Sequence, residues 1–313
     1  MKLSAADRSY LVDQRSIPIF FHQPAKLYTT FHCPATIEWV ARPKNPHQLQ
    51  DLLLFFDRYG WTWKKDWIVL GKGSNVLISD EGFECVVDLS DLHATIDVMD
   101  ETDREIRLCV GAGVPNGKLL QYLRKKSCKG FGFSFGIPGT VGGGVRMNAG
   151  TPDGSFSQIA TCVRAFDLHA EPIECPLDPS HFVYRDFLLG HSWVMYEAEL
   201  CFPKSTLEEV EAEIEHAKQK RSRQPLTWPN FGSVFKNPEG DYAARLIEAC
   251  GLKGSQQGDA QISQMHANFI INLGKATTTQ AVALIQMAKA TVKQKFGVEL
   301  QAEVHGVGYV EDF

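Results

Sequence analysis

Of the chain's 26 glycines, nine lie between Gly130 and Gly154, and any fold for this chain has to find a use for them. An average usage near 7% gives about 22 glycines over this length. The surplus is small, so its placement is the informative part. A residue without a Cβ lets backbone N–H groups reach a ligand unobstructed, and successive inward-pointing N–H groups make a nest suited to pyrophosphate. Pro138 stiffens the turn, Thr140 and Asn148 add neutral donors, and Arg146 is the one positive side chain of the stretch. A diphosphate held by backbone rather than by Lys or Arg suits a tightly bound cofactor in a cleft. Tight turns that pack strand against strand use glycine equally well, and the residues alone leave both readings open.

Other function classes are disfavoured by what the chain carries. Its 313 residues suggest roughly two domains. The net charge of -5 disfavours bulk nucleic-acid binding. The longest strongly apolar run, Leu52 to Phe56, is far below the ~18 residues a membrane span needs. Charges fall at Lys2, Asp7 and Arg8, where a signal peptide needs an apolar segment. A cytoplasmic protein with no membrane insertion is expected. The eight cysteines form no C-x-x-C pair and read as buried free thiols, and the histidines show no metal spacing, so no metal site is expected. There is no Walker-type phosphate loop and no G-x-S-x-G elbow. Gly111-Ala-Gly113 begins like a dinucleotide fingerprint but lacks its final glycine.

The order of elements predicts an α+β fold. Residues 1–26 read as an N-terminal arm. Asn45-Pro46 opens a helix with Leu49, Leu52, Leu53 and Phe56 on its apolar face, stopped by Gly60. Strands are predicted at 67–70, 76–78, 85–89, 105–110, 161–168 and 192–202, with a helix opened by Pro115. Ser205-Thr-Leu-Glu208 reads as a capping box for a helix faced by Leu207, Val210, Ile214 and Ala217, acidic in its first half and basic in its second. A domain boundary is placed near 204. Beyond it come a helix over 242–250, a strand over 268–273, a helix boxed by Thr277 and Gln280 with Val282, Ile285, Val292 and Phe296 as its face, and a strand over 302–310. The first half divides into two lobes near residue 87.

Two further stretches carry polar groups in turn-like settings. Gly71-Lys-Gly-Ser-Asn75 follows a strand. Gln224-Pro-Leu-Thr-Trp-Pro-Asn-Phe-Gly-Ser-Val-Phe-Lys-Asn-Pro238 is a loop by composition, with aromatic residues around Ser233 and Lys236. Each also reads as an ordinary turn or crossover.

Taken together, and in this order, these stretches resemble the UDP-N-acetylenolpyruvoylglucosamine reductase (MurB) family. The matching pieces are Leu70-Gly-Lys-Gly-Ser-Asn-Val-Leu-Ile78, Gly136-Ile-Pro-Gly-Thr-Val-Gly-Gly143, Met147-Asn-Ala-Gly150, Tyr184-Arg185 and Gly232-Ser-Val-Phe-Lys-Asn-Pro238. Leu246-Ile247, Gly251-Leu-Lys-Gly254, His266-Ala-Asn-Phe-Ile-Ile-Asn272, Phe296-Gly-Val-x-Leu300 and Glu303-Val304 complete the set. The resemblance spans roughly residues 28–308. No insert lies between Arg185 and Ser233, as in the shorter subtype.

The resemblance implies a bilobed FAD-binding domain of the vanillyl-alcohol oxidase type over 27–203 and a C-terminal α+β substrate-binding domain over 204–313. It implies FAD along Gly71, Lys72, Gly73, Ser74 and Asn75 and along Gly136, Pro138, Gly139, Thr140, Gly143 and Asn148. No His lies in 70–78 or 133–150, so the FAD is expected to be non-covalent. NADPH would be the co-substrate and UDP-N-acetylglucosamine enolpyruvate the substrate. Arg185 would hold the substrate carboxylate, Ser233 would donate a proton, and Glu303 would stabilise the enol form. Tyr184, Lys236 and Asn237 would bind substrate, and a monomer is expected. The alternative is a catalytically silent flavin-binding or nucleotide-binding paralogue with a sensing role. Three departures stand out. Phe187 replaces a serine usual two residues after the Arg, Thr29-Thr-Phe-His-Cys-Pro-Ala35 lacks the usual paired glycines, and Thr151-Pro-Asp-Gly154 follows Asn-Ala-Gly.

Overall fold

The computed structural model describes residues 3–92 and 94–309. Helices mix with mostly antiparallel strands and no regular βαβ repeat, which is the α+β class. One four-stranded sheet runs in the order Ile19–Pro24, Thr36–Ala41, Phe83–Asp88, Trp67–Leu70. By its contacts the chain forms two compact units. The first comprises Met1–Phe20, Val40–Gly71 and Val86–Ser222, and the second Phe21–Trp39, Lys72–Cys85 and Arg223–Phe313.

The first unit starts with a short helix, α1 (Ala5–Ser9), boxed by Ser4 and Asp7. Helix α2 (Pro46–Arg58) begins as its residues dictate. The Asn45 side chain accepts the Gln48 N–H at 3.0 Å, and Pro46 sits in the first turn. Its buried face is Leu49, Leu52, Leu53, Phe55 and Phe56, and Phe56 stacks on Trp67 with centroids 4.5 Å apart. At about 1.5–3 kcal/mol per buried large side chain, that face outweighs any local propensity term. A five-stranded antiparallel sheet runs in the order Pro172–Pro176, Ala160–Asp167, Trp193–Pro203, Glu105–Gly111, Ile96–Glu101. Neither of its edge strands, Pro172–Pro176 and Ile96–Glu101, is among the expected strands, because an exposed edge needs no apolar face.

Helix α3 (Asn116–Lys125) follows Pro115 and buries Leu119, Leu120 and Leu123. The glycine stretch contains a short helix, α4 (Val141–Arg146), capped by Thr140. Two of its three glycines are there for packing. A Cβ on Gly144 would lie 2.2 Å from the Phe156 ring, and one on Gly142 would lie 2.8 Å from the Ala112 Cβ. Helix α5 (Leu207–Arg221) is capped by Thr206, not by the Ser205 box the sequence suggested. The Ser205 hydroxyl is bound to the Glu209 carboxylate instead. Leu207 is exposed, and Val210 and Ala217 carry the buried face.

In the second unit a three-stranded antiparallel sheet runs Gln256–Gln257, Ala260–Ile262, Ile270–Asn272, and Val76–Ile78 pairs in parallel with His305–Val307. Helix α6 (Ala243–Ala249) is short. Helix α7 (Thr278–Phe296) has the expected Thr277–Gln280 box and stops at Gly297, at φ 71°. Its buried stripe is Thr278, Ala281, Leu284, Ile285, Ala288 and Val292. Val282, half-buried, and Phe296, exposed, fall off it. Within the expected strand at 302–310 the described residues form His305–Val307, and Val310 lies outside them.

Candidate active site

In the first unit Tyr184 and Arg185 form the two-residue tip between the strands Phe182–Val183 and Asp186–Phe187. Arg185 takes φ 62°, the left-handed region where a turn normally wants glycine or asparagine. Such strain is of order 1–3 kcal/mol and persists only where its surroundings impose it. Those surroundings are specific. Asn148 donates its Nδ2–H to the Val183 carbonyl at 3.0 Å and accepts the Ser157 N–H at 3.0 Å. Arg146 Nη1 donates to Asp186 Oδ1 at 2.6 Å, and its Nη2 lies 3.0 Å from His191 Nδ1. His191 Nε2 is 3.0 Å from Asp186 Oδ2. Because a guanidinium only donates, Nδ1 must accept and Nε2–H must give its proton bond to Asp186. Burial raises the Asp186 pKa, but the hydrogen bond and charge of Arg146, with the His191 hydrogen bond beside them, outweigh it and hold the carboxyl below its usual range.

Phe187, which replaces the usual serine, is fully buried and stacks on Phe182 at 4.9 Å. The departure is therefore a packing choice at the base of the turn. Tyr184 is exposed, with the Arg185 guanidinium 5.1 Å from its ring centroid.

The glycine stretch divides in function. The N–H groups of Val141, Gly142 and Gly144 donate to Val114, Ala112 and Thr140 carbonyls, and that of Gly143 to Thr140 Oγ1. No anion nest forms from these amides. Asn148 likewise spends its side chain on Val183 and Ser157. Open backbone lies earlier, where Gly136 and Pro138 are exposed. Near them, Ser134 Oγ and Asn116 Oδ1 are buried polar atoms with no partner in the protein, and Asn116 donates its N–H to the Gly139 carbonyl at 3.1 Å. Orphaned polar atoms around bare backbone fit a bound polar cofactor.

In the second unit the structure brings Ser233, Glu303 and the Lys72–Asn75 turn together. The segment carrying Ser233 is laced on both sides. Val234 donates to the Asn268 carbonyl at 2.9 Å, and Phe235 exchanges bonds with the Asn268 side chain at 2.9 and 2.8 Å. On the other side Glu303 donates to the Val234 carbonyl at 2.8 Å and Lys236 to the Gln301 carbonyl at 2.9 Å. Asn75 Nδ2 donates to the Glu303 carbonyl at 2.9 Å, and a Cβ on Gly232 would sit 3.5 Å from the Ser74 carbonyl oxygen. Ser233 and Glu303 are both half-buried. A Cβ on Gly73 would lie 1.9 Å from the Tyr28 carbonyl oxygen, so only glycine fits this turn. Lys72 is exposed, and Asn237 accepts the Ala243 N–H at 3.1 Å, capping α6. In the 29–35 segment His32 adopts φ 61°, a glycine-like conformation at the place where paired glycines were expected.

Comparison with known proteins decides the family. The chain is 38% identical over 288 residues, covering 90% of both sequences, to UDP-N-acetylenolpyruvoylglucosamine reductase 2 of Symbiobacterium thermophilum. The chain belongs to the UDP-N-acetylenolpyruvoylglucosamine reductase family. It is also 35% identical to the reductase of Moorella thermoacetica, over 92% of this chain and 93% of that one. Residues 224–307 match the C-terminal domain of this reductase, and residues 37–170 match an FAD binding domain. The crystal structure of the Thermus caldophilus enzyme superposes with a TM-score of 0.76 at 28% identity, over 93% of this chain and 98% of that one. Membership in this family assigns FAD as the cofactor, and the Gly136–Gly139 backbone with its orphaned neighbours is consistent with it.

Sequence reasoning missed two positioning groups. Asn268 lay inside a quoted motif without a role. The Arg146–Asp186–His191 set had no spacing signal, since its members come from three separate elements. Among the described residues no helix is long and apolar enough to cross a membrane.

Proposed function

We propose that this chain is an NADPH-dependent, FAD-containing oxidoreductase that reduces the enolpyruvyl group of UDP-N-acetylglucosamine enolpyruvate to give UDP-N-acetylmuramate for peptidoglycan. The observation that carries the reading is the double lacing that sets Ser233 beside Glu303 in one unit of a chain of this family. The cofactor would be held by Gly71, Lys72, Gly73, Ser74 and Asn75 and by Gly136, Pro138, Gly139, Thr140 and Gly143, with Asn148 acting from behind through Val183. FAD, when bound, relays hydride from NADPH to the terminal vinyl carbon.

Charge then builds on the adjacent carbon and its carboxylate. Arg185 offers that carboxylate a permanent cation with fork geometry. Ser233 Oγ gives its proton to the adjacent carbon; a serine hydroxyl is a weak acid in water, but a carbanionic enol is a strong enough base to take it. Glu303 shares a proton with the enol oxygen and keeps charge from accumulating there. Lys236, Asn237 and Tyr184 contact the charged and polar parts of the sugar nucleotide. The enzyme works in the cytoplasm as a monomer.

The test is turnover with NADPH and UDP-N-acetylglucosamine enolpyruvate on wild type and Ser233→Ala. The expected loss in kcat is about 10²–10⁴-fold, with NADPH-driven bleaching of the flavin retained. Full turnover in the variant removes Ser233 from the proton step. Protein that binds no FAD overturns the reading as a whole.

A further inference from the structure

Alternation along Trp193–Pro203 in the first unit buries Ala198, Leu200 and Phe202 and leaves Glu197, Glu199 and Cys201 on the opposite face of the five-stranded sheet. On that face the register sets Cys162 of Ala160–Asp167 across from Glu199, and Glu199 across from Cys109 of Glu105–Gly111. In the neighbouring row Glu174 of the edge strand Pro172–Pro176 lies across from Arg164, and Arg164 across from Glu197. The Cys162 sulfur and one carboxylate oxygen each of Glu174 and Glu199 lie within 4.8 Å of one another. No sequence spacing announces this set, because its members come from three strands.

The surroundings of Cys162 are unusual for a thiol on a polar sheet face. It is only 6% exposed, and its hydrogen-bond contact is a long one, 3.7 Å to the neighbouring Val163 carbonyl. Burial, and then the Glu199 charge, push its thiol pKa up. Arg164 is the cation already on this face, but it is divided. Its Nη2 donates to Glu199 at 2.5 Å and to Glu174 at 3.4 Å, and its Nη1 to Glu197 at 3.4 Å and to the Cys109 sulfur at 3.6 Å. One guanidinium does not neutralise three carboxylates. Its bonds to Glu197 and Cys109 also leave Arg164 paired when another cation takes Glu174 and Glu199.

A thiolate and two carboxylates make a ligand set for a borderline-soft divalent ion. A tetrahedral zinc site, with Zn–S about 2.3 Å and Zn–O about 2.0–2.2 Å, places such ligand atoms about 3.4–3.6 Å apart. The three groups need close by about 1.4 Å at most, within reach of side-chain rotation at Glu174 and Glu199.

We propose that Cys162, Glu174 and Glu199 form a zinc site, with water as the fourth ligand. The Cys162 thiol gives its proton to solvent as the ion enters, and the ion's charge then holds the thiolate that burial alone disfavours. The site uses none of the residues assigned to the reaction. The ion ties the edge strand to two inner strands, and so braces an edge that pairs on one side only.

The experiment uses the FAD-loaded enzyme, freed of metal with a chelator and titrated with cadmium, whose bond to a thiolate gives an ultraviolet charge-transfer band. Wild type should show the band at one ion per chain, lose it when zinc is added, and melt at a higher temperature with zinc than without. The cadmium dissociation constant should rise at least about 100-fold in Cys162→Ala and about tenfold or more in Glu174→Gln, since even an outer-shell partner is worth about 10–100-fold. Glu174 is exposed on the edge strand, so Glu174→Gln keeps the test open if Cys162→Ala does not fold. Cys175→Ala, on the same strand, should bind as wild type does. A wild type with no band at one equivalent, a band that survives both Cys162→Ala and Glu174→Gln, or a band lost in Cys175→Ala overturns the proposal. Binding is then an adventitious ion only, and the face is an ion-pair network centred on Arg164. A melting temperature that zinc does not raise overturns it as well.

Discussion

The turn that carries Arg185 and the segment that carries Ser233 are held by opposite means. Arg185 sits on a strained two-residue tip fixed by side chains: Asn148 on one strand, and Arg146 with His191 on Asp186 of the other. Ser233 sits between bends at Gly232 and Val234, in a segment whose backbone is bonded by the Asn268 backbone and side chain on one side and by residues 301–303 on the other. Side-chain latches at part-exposed positions are individually weak, whereas breaking the bonds around a buried asparagine leaves backbone groups unsatisfied at about 1–3 kcal/mol each. Under the proposed function, a cation that must follow a carboxylate as its charge grows tolerates the first kind of mounting, and a hydroxyl that must deliver a proton to one carbon needs the second.

The sharpest way to break the contrast is Asn268→Ala. Asn268 is buried and satisfies both the N–H and the carbonyl of Phe235. Truncation leaves two buried backbone groups unpaired, at about 1–3 kcal/mol each. A loss of about 2–4 kcal/mol in unfolding free energy is expected from urea midpoints at constant slope, together with a fall in kcat larger than any rise in KM. If stability falls while kcat holds, Ser233 does not depend on this mounting.

Asp186→Asn probes the other mounting and should be gentler. The Arg146–Asp186 pair is three-quarters buried, at 24% side-chain exposure for each partner. The variant keeps the shape of the turn but loses the charge that Arg146 and His191 hold. Stability should change by less than about 1.5 kcal/mol, while KM for the enolpyruvyl substrate rises roughly tenfold, because a looser tip misplaces Arg185. Equal effects on kcat and stability in both variants would erase the distinction between the two mountings.

Much of this architecture was legible from local rules. The Asn45-Pro46 start of α2, the Thr277–Gln280 box and Gly297 stop of α7, and the apolar strands of the five-stranded sheet follow from capping and periodicity. Errors came where tertiary contact decided. Ser205 had the right residue type for a cap, but its hydroxyl went to Glu209, leaving Thr206 to cap. The glycine-rich stretch left ligand backbone and tight packing both open, and at 142 and 144 the contact with Ala112 and Phe156 selects packing. Arg185, Ser233 and Glu303 are candidates through motif resemblance. Asn268 and Arg146 act through neighbours far away in sequence, and no local pattern announces that.

Acid should separate the two mountings, and this is the smallest expected effect. His266 is half-buried, its Nδ1 accepts the Asn268 N–H at 3.3 Å, and its ring meets Phe269 edge-on at 5.0 Å. Burial, and then the Lys253 charge, push its pKa below the ordinary value, with Glu248 opposing. An imidazole with a depressed pKa is neutral in both folded and unfolded chains above about pH 7, so it adds no pH dependence there. As pH drops below the unfolded pKa of about 6.5, the unfolded chain takes up a proton before the folded one, and stability declines until the folded pKa is passed. Protonation also removes the acceptor for the Asn268 N–H, so the decline falls on the Ser233 mounting. Asp186 behaves in the opposite window: its depressed pKa means its contribution holds until pH falls below the carboxylate range near 4. The stability difference between wild type and His266→Gln, measured by urea unfolding, should therefore shrink between pH 7.5 and 5, while that between wild type and Asp186→Asn stays level. A His266→Gln difference that is flat across this range would show that Asn268 is held without help from the imidazole.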